Sequence, residues 1–139
     1  MKYKIRITAT DRDRILACIE EIAIDGDKHE LPHIRHLQEE LEKATILENP
    51  KKTPANVITM RSRVRLLDQR TGKTAEYTLV YPPESEPQTR HISVLAPLGT
   101  AMLGYRAGDS FNVDLPAGQA RFTVEDIVYQ PEAAGDFHL

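Results

Sequence analysis

Asn49-Pro50-Lys51-Lys52-Thr53-Pro54 divides the chain into two patterns, and its reading decides the fold. Two prolines, two lysines and no large apolar residue mark it as a linker. Before it, apolar residues recur at helical spacing; after it the period is two. Working back from Asn49, Ile34, Leu37, Leu41 and Ala44 follow one another at steps of three, four and three, an a/d seam. Pro32 suits the first turn of that helix, where a missing N–H costs nothing. Asp25-Gly26-Asp27 breaks an earlier stripe of Ile15, Ile19 and Ile22, which reaches to about Ile24. Thr10 with Asp13 fits a variant capping box at its start. Two stripes around a Gly-containing loop predict an antiparallel helical hairpin, a short coiled coil, over residues 1–50. Each helix should span roughly 14–17 residues, on the order of 20–25 Å at ~1.5 Å per residue.

Forward from Pro54, Arg61, Arg63 and Arg65 alternate with Ser62, Val64 and Leu66, and Asp68-Gln69-Arg70-Thr71-Gly72 turns the chain. Ala75, Tyr77, Leu79 and Tyr81 form the next alternating face. Pro82 to Gln88 is a polar loop, His91 to Leu95 a third strand, and Pro97 opens a short helix through Leu103 that Gly104 ends. Two further runs, Phe111-Val113-Leu115 and Phe122-Val124-Ile127-Tyr129, complete four or five antiparallel strands with one short helix. Residues 55–139 are thus expected to form an α+β layer, and the whole chain belongs to the α+β class.

Composition narrows the function. Of 139 residues, 40% are hydrophobic and 28% charged, as in globular proteins. No run of about 18 apolar residues is present, so no membrane span is expected. The basic start, Met1 to Arg6, is followed by Asp11-Arg12-Asp13-Arg14 in place of an apolar core, which argues against a secretory signal. Cys18 is the single cysteine, which excludes an internal disulfide or a multi-cysteine zinc site. A reducing cytoplasm is the expected location. The net charge of −3 is unevenly placed: residues 1–50 carry eight Lys/Arg against eleven Asp/Glu, and residues 51–139 carry ten of each. Between residues 20 and 30, Glu20, Glu21, Asp25, Asp27 and Glu30 face Lys28 alone. Such a block repels nucleic acid and favours a basic surface or a metal ion; no sequence-specific DNA binding is expected.

Several segments carry a resemblance to a known family. They are Val57-Ile58-Thr59-Met60-Arg61-Ser62-Arg63-Val64, Leu79-Val80-Tyr81-Pro82, the run Ile92 to Gly104, Gly108-Asp109 and the tail Tyr129 to Asp136. Residues 57–138 resemble the FKBP-like C-terminal domain of the Gre transcript-cleavage factors, and still more the Rnk group, Gre-like regulators of nucleoside diphosphate kinase with a short hairpin. The resemblance implies an FKBP-like second domain and bacterial RNA polymerase as partner. It assigns docking to Ser93, Leu95, Ala96, Pro97, Leu98 and Gly99, since the matching Gre loop helps dock onto a coiled coil at the rim of the secondary channel.

At the hairpin tip, Gly26-Asp27-Lys28-His29-Glu30 reproduces the Gly-Asp-x-x-Glu arrangement of Gre factors. There the two carboxylates help hold a second Mg²⁺ at the polymerase active site, consistent with an ion that keeps several waters and needs few protein ligands. The resemblance therefore implies no resident cofactor, only a Mg²⁺ shared with the polymerase through Asp27 and Glu30. The hairpin is shorter than in Gre factors, which points to binding and competition with them without catalysis by this chain. The alternatives are a true cleavage factor using Asp27 and Glu30, a regulator of nucleoside diphosphate kinase, and a prolyl isomerase. The last is disfavoured by the lack of Trp and by eight scattered Phe/Tyr. No Gly-rich phosphate loop supports phosphoryl transfer.

Plainer readings stand beside these. Asp27 and Glu30 also fit solvated loop acids, with Glu30 favoured near a helix N-terminus. His29, His33 and His36 sit at helical spacings that suit either a metal with Asp27 or Glu30, or solvent. Arg61, Arg63 and Arg65 suit phosphate contact or a solvated sheet face. Leu95 to Gly99 also fits ordinary strand-to-helix packing.

Overall fold

The computed structural model describes residues 5–24 and 32–136. Asp25 to Leu31, with the tip residues Asp27, His29 and Glu30, lie outside the described residues. Strand β1 (Arg6–Thr8) runs into helix α1 (Ala9–Ile24). Helix α2 (Pro32–Glu42) follows, then strand β2 (Thr45–Leu47). Beyond a single 3-10 turn at Pro50–Lys52 come β3 (Arg63–Asp68), β4 (Lys73–Val80), β5 (His91–Ser93) and helix α3 (Pro97–Met102). Strands β6 (Ser110–Leu115) and β7 (Gly118–Tyr129) and helix α4 (Pro131–Ala134) complete the order.

Helix α1 starts earlier than the Thr10/Asp13 pair suggests. Its cap is Thr8, whose Oγ1 accepts the Asp11 N–H at 3.3 Å, as an N-cap hydroxyl does for the third helical residue. Pro32 opens α2 as expected, but α2 ends at Glu42, so at 11 residues it is shorter than the periodicity suggests. The chain leaves it because Thr45-Ile46-Leu47 pairs in parallel with Arg6-Ile7-Thr8, secured by Thr45 N–H to the Ile5 carbonyl at 2.8 Å. Two three-residue strands thus tie the open end of the hairpin together.

The larger sheet has the order β5-β4-β3-β7-β6. It is mixed where an antiparallel sheet was expected: β3, β4, β6 and β7 pair antiparallel, but β5 lies parallel to β4, Leu79 opposite Ile92 and Val80 opposite Ser93. The reversal is made by the Pro82–Arg90 connection, which winds through two 3-10 turns and returns the chain to the same end of β4. The uneven spacing Phe122, Val124, Ile127, Tyr129 has a physical cause. Leu66 faces Val124 while Arg65 faces Asp126, and Val64 faces Ile127 while Arg63 faces Tyr129, so β7 carries two extra residues as bulges. A second short helix, α4, follows β7 and was not anticipated.

Arg61 is not on the β3 face. It sits in the turn before β3 at φ 63°, a left-handed conformation that disfavours a β-carbon. Arg63 and Arg65 do share the outer face of the sheet, where both lie beside Glu76, at 3.5 and 3.6 Å.

One core runs through the molecule. It joins Ile15 and Ile19 of α1 and Ile34, Leu37 and Leu41 of α2 to Val64, Leu66, Leu79, Val94, Met102, Phe111 and Val124. The α2 stripe therefore packs onto the β-layer as well as within the hairpin, and α2 lies against α3. Burial of a side chain such as Leu37 or Leu41 is worth roughly 1.5–3 kcal/mol. Tyr105, Phe111 and Phe122 stack in series, with ring centroids 4.9 and 5.9 Å apart.

Candidate partner-docking site

The turn from Ser93 to Gly99 is shaped by its own backbone demands. Val94 N–H bonds the Val80 carbonyl at 2.8 Å, which ends the parallel pairing. Ser93 Oγ accepts the Leu95 N–H at 3.1 Å, and the Ser93 carbonyl accepts the Ala96 N–H at 3.0 Å. Ala96 is extended (φ −74°, ψ 153°), as a residue before proline should be, and Pro97 takes the first helical position of α3. Thr100 Oγ1 is buried and donates back to the Val94 carbonyl at 2.7 Å. A β-carbon on Gly99 would lie 1.9 Å from the Ser93 carbonyl oxygen, so only glycine fits there. Gly99 is buried, whereas Ser93, Leu95, Ala96, Pro97 and Leu98 are half-buried and present partial surface to solvent. The six residues assigned to docking thus occupy one continuous turn, five bordering solvent and Gly99 holding the shape.

Helix α2 reaches this turn. His33 Nε2 donates to the Leu95 carbonyl at 3.0 Å, a link across 62 positions of sequence. Next to it, a cleft of about 450 Å³ opens between α2, α3 and β6, with His36, Pro97, Ala101 and Asp114 among its walls. His36 faces Glu40 at 3.3 Å. Among the described residues no group of three or more His, Cys, Asp or Glu is arranged to hold a metal. His33 and His36 are engaged with Leu95 and Glu40 there.

A second joint between hairpin and sheet was missed in the sequence. Tyr81, just past β4, donates its hydroxyl to Asp11 Oδ1 at 2.7 Å, and both groups are buried. The Arg61 guanidinium lies 5.2 Å from the Tyr81 ring centroid and grips Glu84 with both nitrogens, Nη2 to Oε1 at 2.7 Å and Nε to Oε2 at 3.1 Å. Burial raises the Asp11 pKa, against the pull of the Tyr81 hydrogen bond and the Arg14 and Arg61 charges. Burial raises Tyr81 as well, reinforced by the Asp11 charge. Beyond Asp11, Glu132 of α4 accepts from Thr59 Oγ1 at 2.7 Å, and burial, with the Asp11 charge adding, raises its pKa too. Thr8-x-x-Asp11 is the local signal that would have found the first half of this joint; its partner lies 70 residues away.

The model of the family described as "Transcription elongation factor, GreA/GreB, C-term" matches residues 53–129. That span takes in the Ser93–Gly99 turn, Tyr81 and Arg61. The chain belongs to the GreA/GreB family. The regulator of nucleoside diphosphate kinase of Escherichia coli (strain K12) is 40% identical over 136 residues, covering 97% of this chain and 96% of that protein. Transcription elongation factor GreA of Dehalococcoides mccartyi is 32% identical, over 69% of this chain and 61% of its own length. Among solved structures, a GreA/GreB elongation factor from Nitrosomonas europaea superposes with a TM-score of 0.76 and 31% identity, over 91% of this chain and all of that one. GreA/GreB membership thus holds for the β-layer, and the end-to-end likeness to the Escherichia coli regulator extends over the hairpin as well. No helix among the described residues is long and apolar enough to cross a membrane.

Proposed function

We propose that this GreA/GreB family member is an RNA polymerase-binding regulator that acts at the secondary channel and competes with Gre factors there. It docks through Ser93, Leu95, Ala96, Pro97 and Leu98, with Gly99 holding the turn, and it performs no catalysis of its own. The observation that carries the reading is the docking turn itself: a rigid, partly exposed strand-to-helix corner inside the family-matched region, braced by the hairpin. The short α2, about 16 Å at ~1.5 Å per residue, supports binding over delivery of the tip to a distant metal. A cytoplasmic location and the absence of DNA sequence reading follow from that role.

Replacing Pro97 and Leu98 by glutamate in the full chain should abolish capture of purified polymerase while circular dichroism stays unchanged. Undiminished capture by the folded variant would place the contact elsewhere. The tip motif supports a second reading, a working cleavage factor in which Asp27 and Glu30 share a Mg²⁺ with the polymerase. Robust cleavage on stalled complexes that disappears in Asp27→Ala would establish it. The name of the full-length relative supports a third, control of nucleoside diphosphate kinase, for which direct capture of that kinase is the deciding measurement.

A further inference from the structure

The geometry points to His33 as a positioning residue that sets the orientation of the hairpin against the docking turn. The inference deepens the function proposed above and rests on it for its binding consequence, though not for its structural one. The acceptor fixes the chemistry: Leu95 offers a carbonyl oxygen, so His33 must present Nε2 as the donor. The turn it meets is already immobile, held by Ser93 Oγ, by Thr100 Oγ1 and by the lack of room at Gly99. A hydrogen bond to a fixed carbonyl near the start of α2 therefore positions the helix; the turn does not follow the helix. His33 is half-buried and follows Pro32, the first residue of α2, so the bond fixes the start of that helix against the turn, as the pairing of β1 with β2 fixes its other end. It also borders the cleft shared by α2, α3 and β6, whose mouth widens or closes with the angle of that helix. A partner seated on Pro97 and Leu98 meets α2 at an angle that this bond, added to the core packing of Leu37 and Leu41, fixes at the start of the helix.

The test exploits a difference between two amides. A glutamine places its NH₂ near the position of histidine Nε2, whereas asparagine places it near Nδ1. In the wild-type full chain, long-range ¹H–¹⁵N correlations should show His33 carrying a proton at Nε2. Residual dipolar couplings should report one hairpin orientation for wild type and His33→Gln, and an altered one for His33→Ala and His33→Asn. Polymerase capture should weaken about fivefold or more in the Ala and Asn variants and change less than about twofold in the Gln variant. An Nδ1–H tautomer, a Gln variant as impaired as Ala, or an Ala variant indistinguishable from wild type would each overturn the assignment. A wild-type chain that captures no polymerase would refute the function proposed above, and the tautomer and the couplings would still decide the role of His33.

Discussion

Tyr81→Phe removes one oxygen from the joint between α1 and the sheet and leaves its shape intact. That oxygen donates to Asp11 Oδ1 at 2.7 Å, with Asp11 8% and Tyr81 6% exposed. Losing a hydrogen bond to a buried charged acceptor costs about 1.5–3 kcal/mol, and to a neutral acceptor about 1 kcal/mol. The charge on Asp11 therefore decides the magnitude. Burial holds its folded pKa above the ordinary carboxylate value, with the Tyr81 hydrogen bond the largest influence pulling it back, ahead of Arg14, Arg61 and Thr8. A raised folded pKa means that the native state binds the proton more tightly than the unfolded chain. The stability contributed by the group is complete below the unfolded pKa and is lost as pH rises through the folded one. Removing the hydroxyl lifts the folded pKa further and deepens that loss.

The loss for Tyr81→Phe should therefore be about 2 kcal/mol or more near neutral pH and about 1 kcal/mol at acid pH where Asp11 is protonated in both states. Urea denaturation of wild type and variant at about pH 7.5 and about pH 2.5 reads both values from the shift in midpoint at constant slope. Asp11→Asn supplies the control: it keeps an acceptor for Tyr81, removes the buried charge, and should flatten the pH dependence of stability. It also removes the negative charge that raises Glu132, so the Glu132 pKa should fall. A loss below about 0.5 kcal/mol near neutrality, or a larger loss in acid than at neutral pH, would refute the reasoning.

Gly99→Ala should cost about 3 kcal/mol or more, because the new methyl meets the Ser93 carbonyl oxygen at 1.9 Å and the atoms it strikes are backbone; a melting curve within a degree or two of wild type would contradict this. Residues 1–50 and 55–139 are proposed as separable units, so limited proteolysis should cut within 49–55, where Lys51 and Lys52 are exposed, and leave a folded fragment from about Val57. That fragment should be less stable than the whole chain, since it lacks the Asp11–Tyr81 bond and the packing of Leu37 and Leu41; a wholly unfolded fragment would end the two-unit proposal. Asp27→Ala and Glu30→Ala should leave polymerase capture nearly unchanged, with cleavage weak or absent already in wild type. If cleavage is instead strong, loss of a metal ligand should slow it by about two orders of magnitude or more.

The change of period at Asn49–Pro54, the start of α2 at Pro32 and the corner at Pro97 were all legible, because each depends on local chemistry: a periodicity, a missing N–H, a fixed φ. What was not legible depends on partners far away in sequence. Strands β1 and β2 are three residues each, too short for an alternating signal, and exist because they pair with one another. Arg61 reads as the first of three alternating arginines, yet it is turned out of the strand at φ 63°, where it reaches Tyr81 and Glu84. The capping signal reads at Thr10 and Asp13, yet the cap is Thr8, and Asp11 is buried under a Tyr81 that arrives from the sheet. His33 looked like a solvated histidine or a ligand in search of a metal, and its partner proved to be a backbone carbonyl.

The parallel direction of β5 bears most directly on the site. Had β5 run antiparallel to β4, the residue leaving β5 would have emerged at the opposite end of the sheet from the residue leaving β4. The parallel pairing of Val80 with Ser93 brings both exits to the same end. Tyr81 follows Val80 there and takes hold of α1 through Asp11; Leu95 lies two residues beyond Ser93 and takes hold of α2 through His33. Each helix of the hairpin is thus fastened to one of two adjacent strand exits, and the proposed docking turn begins at one of those exits. Two anchors set apart resist rotation of the hairpin in a way that one anchor cannot. A perturbation at either anchor should therefore alter the angle between the hairpin and the turn before it alters the turn itself. The direction of the three residues of β5 thus places both hairpin anchors and the proposed docking corner at one end of the sheet.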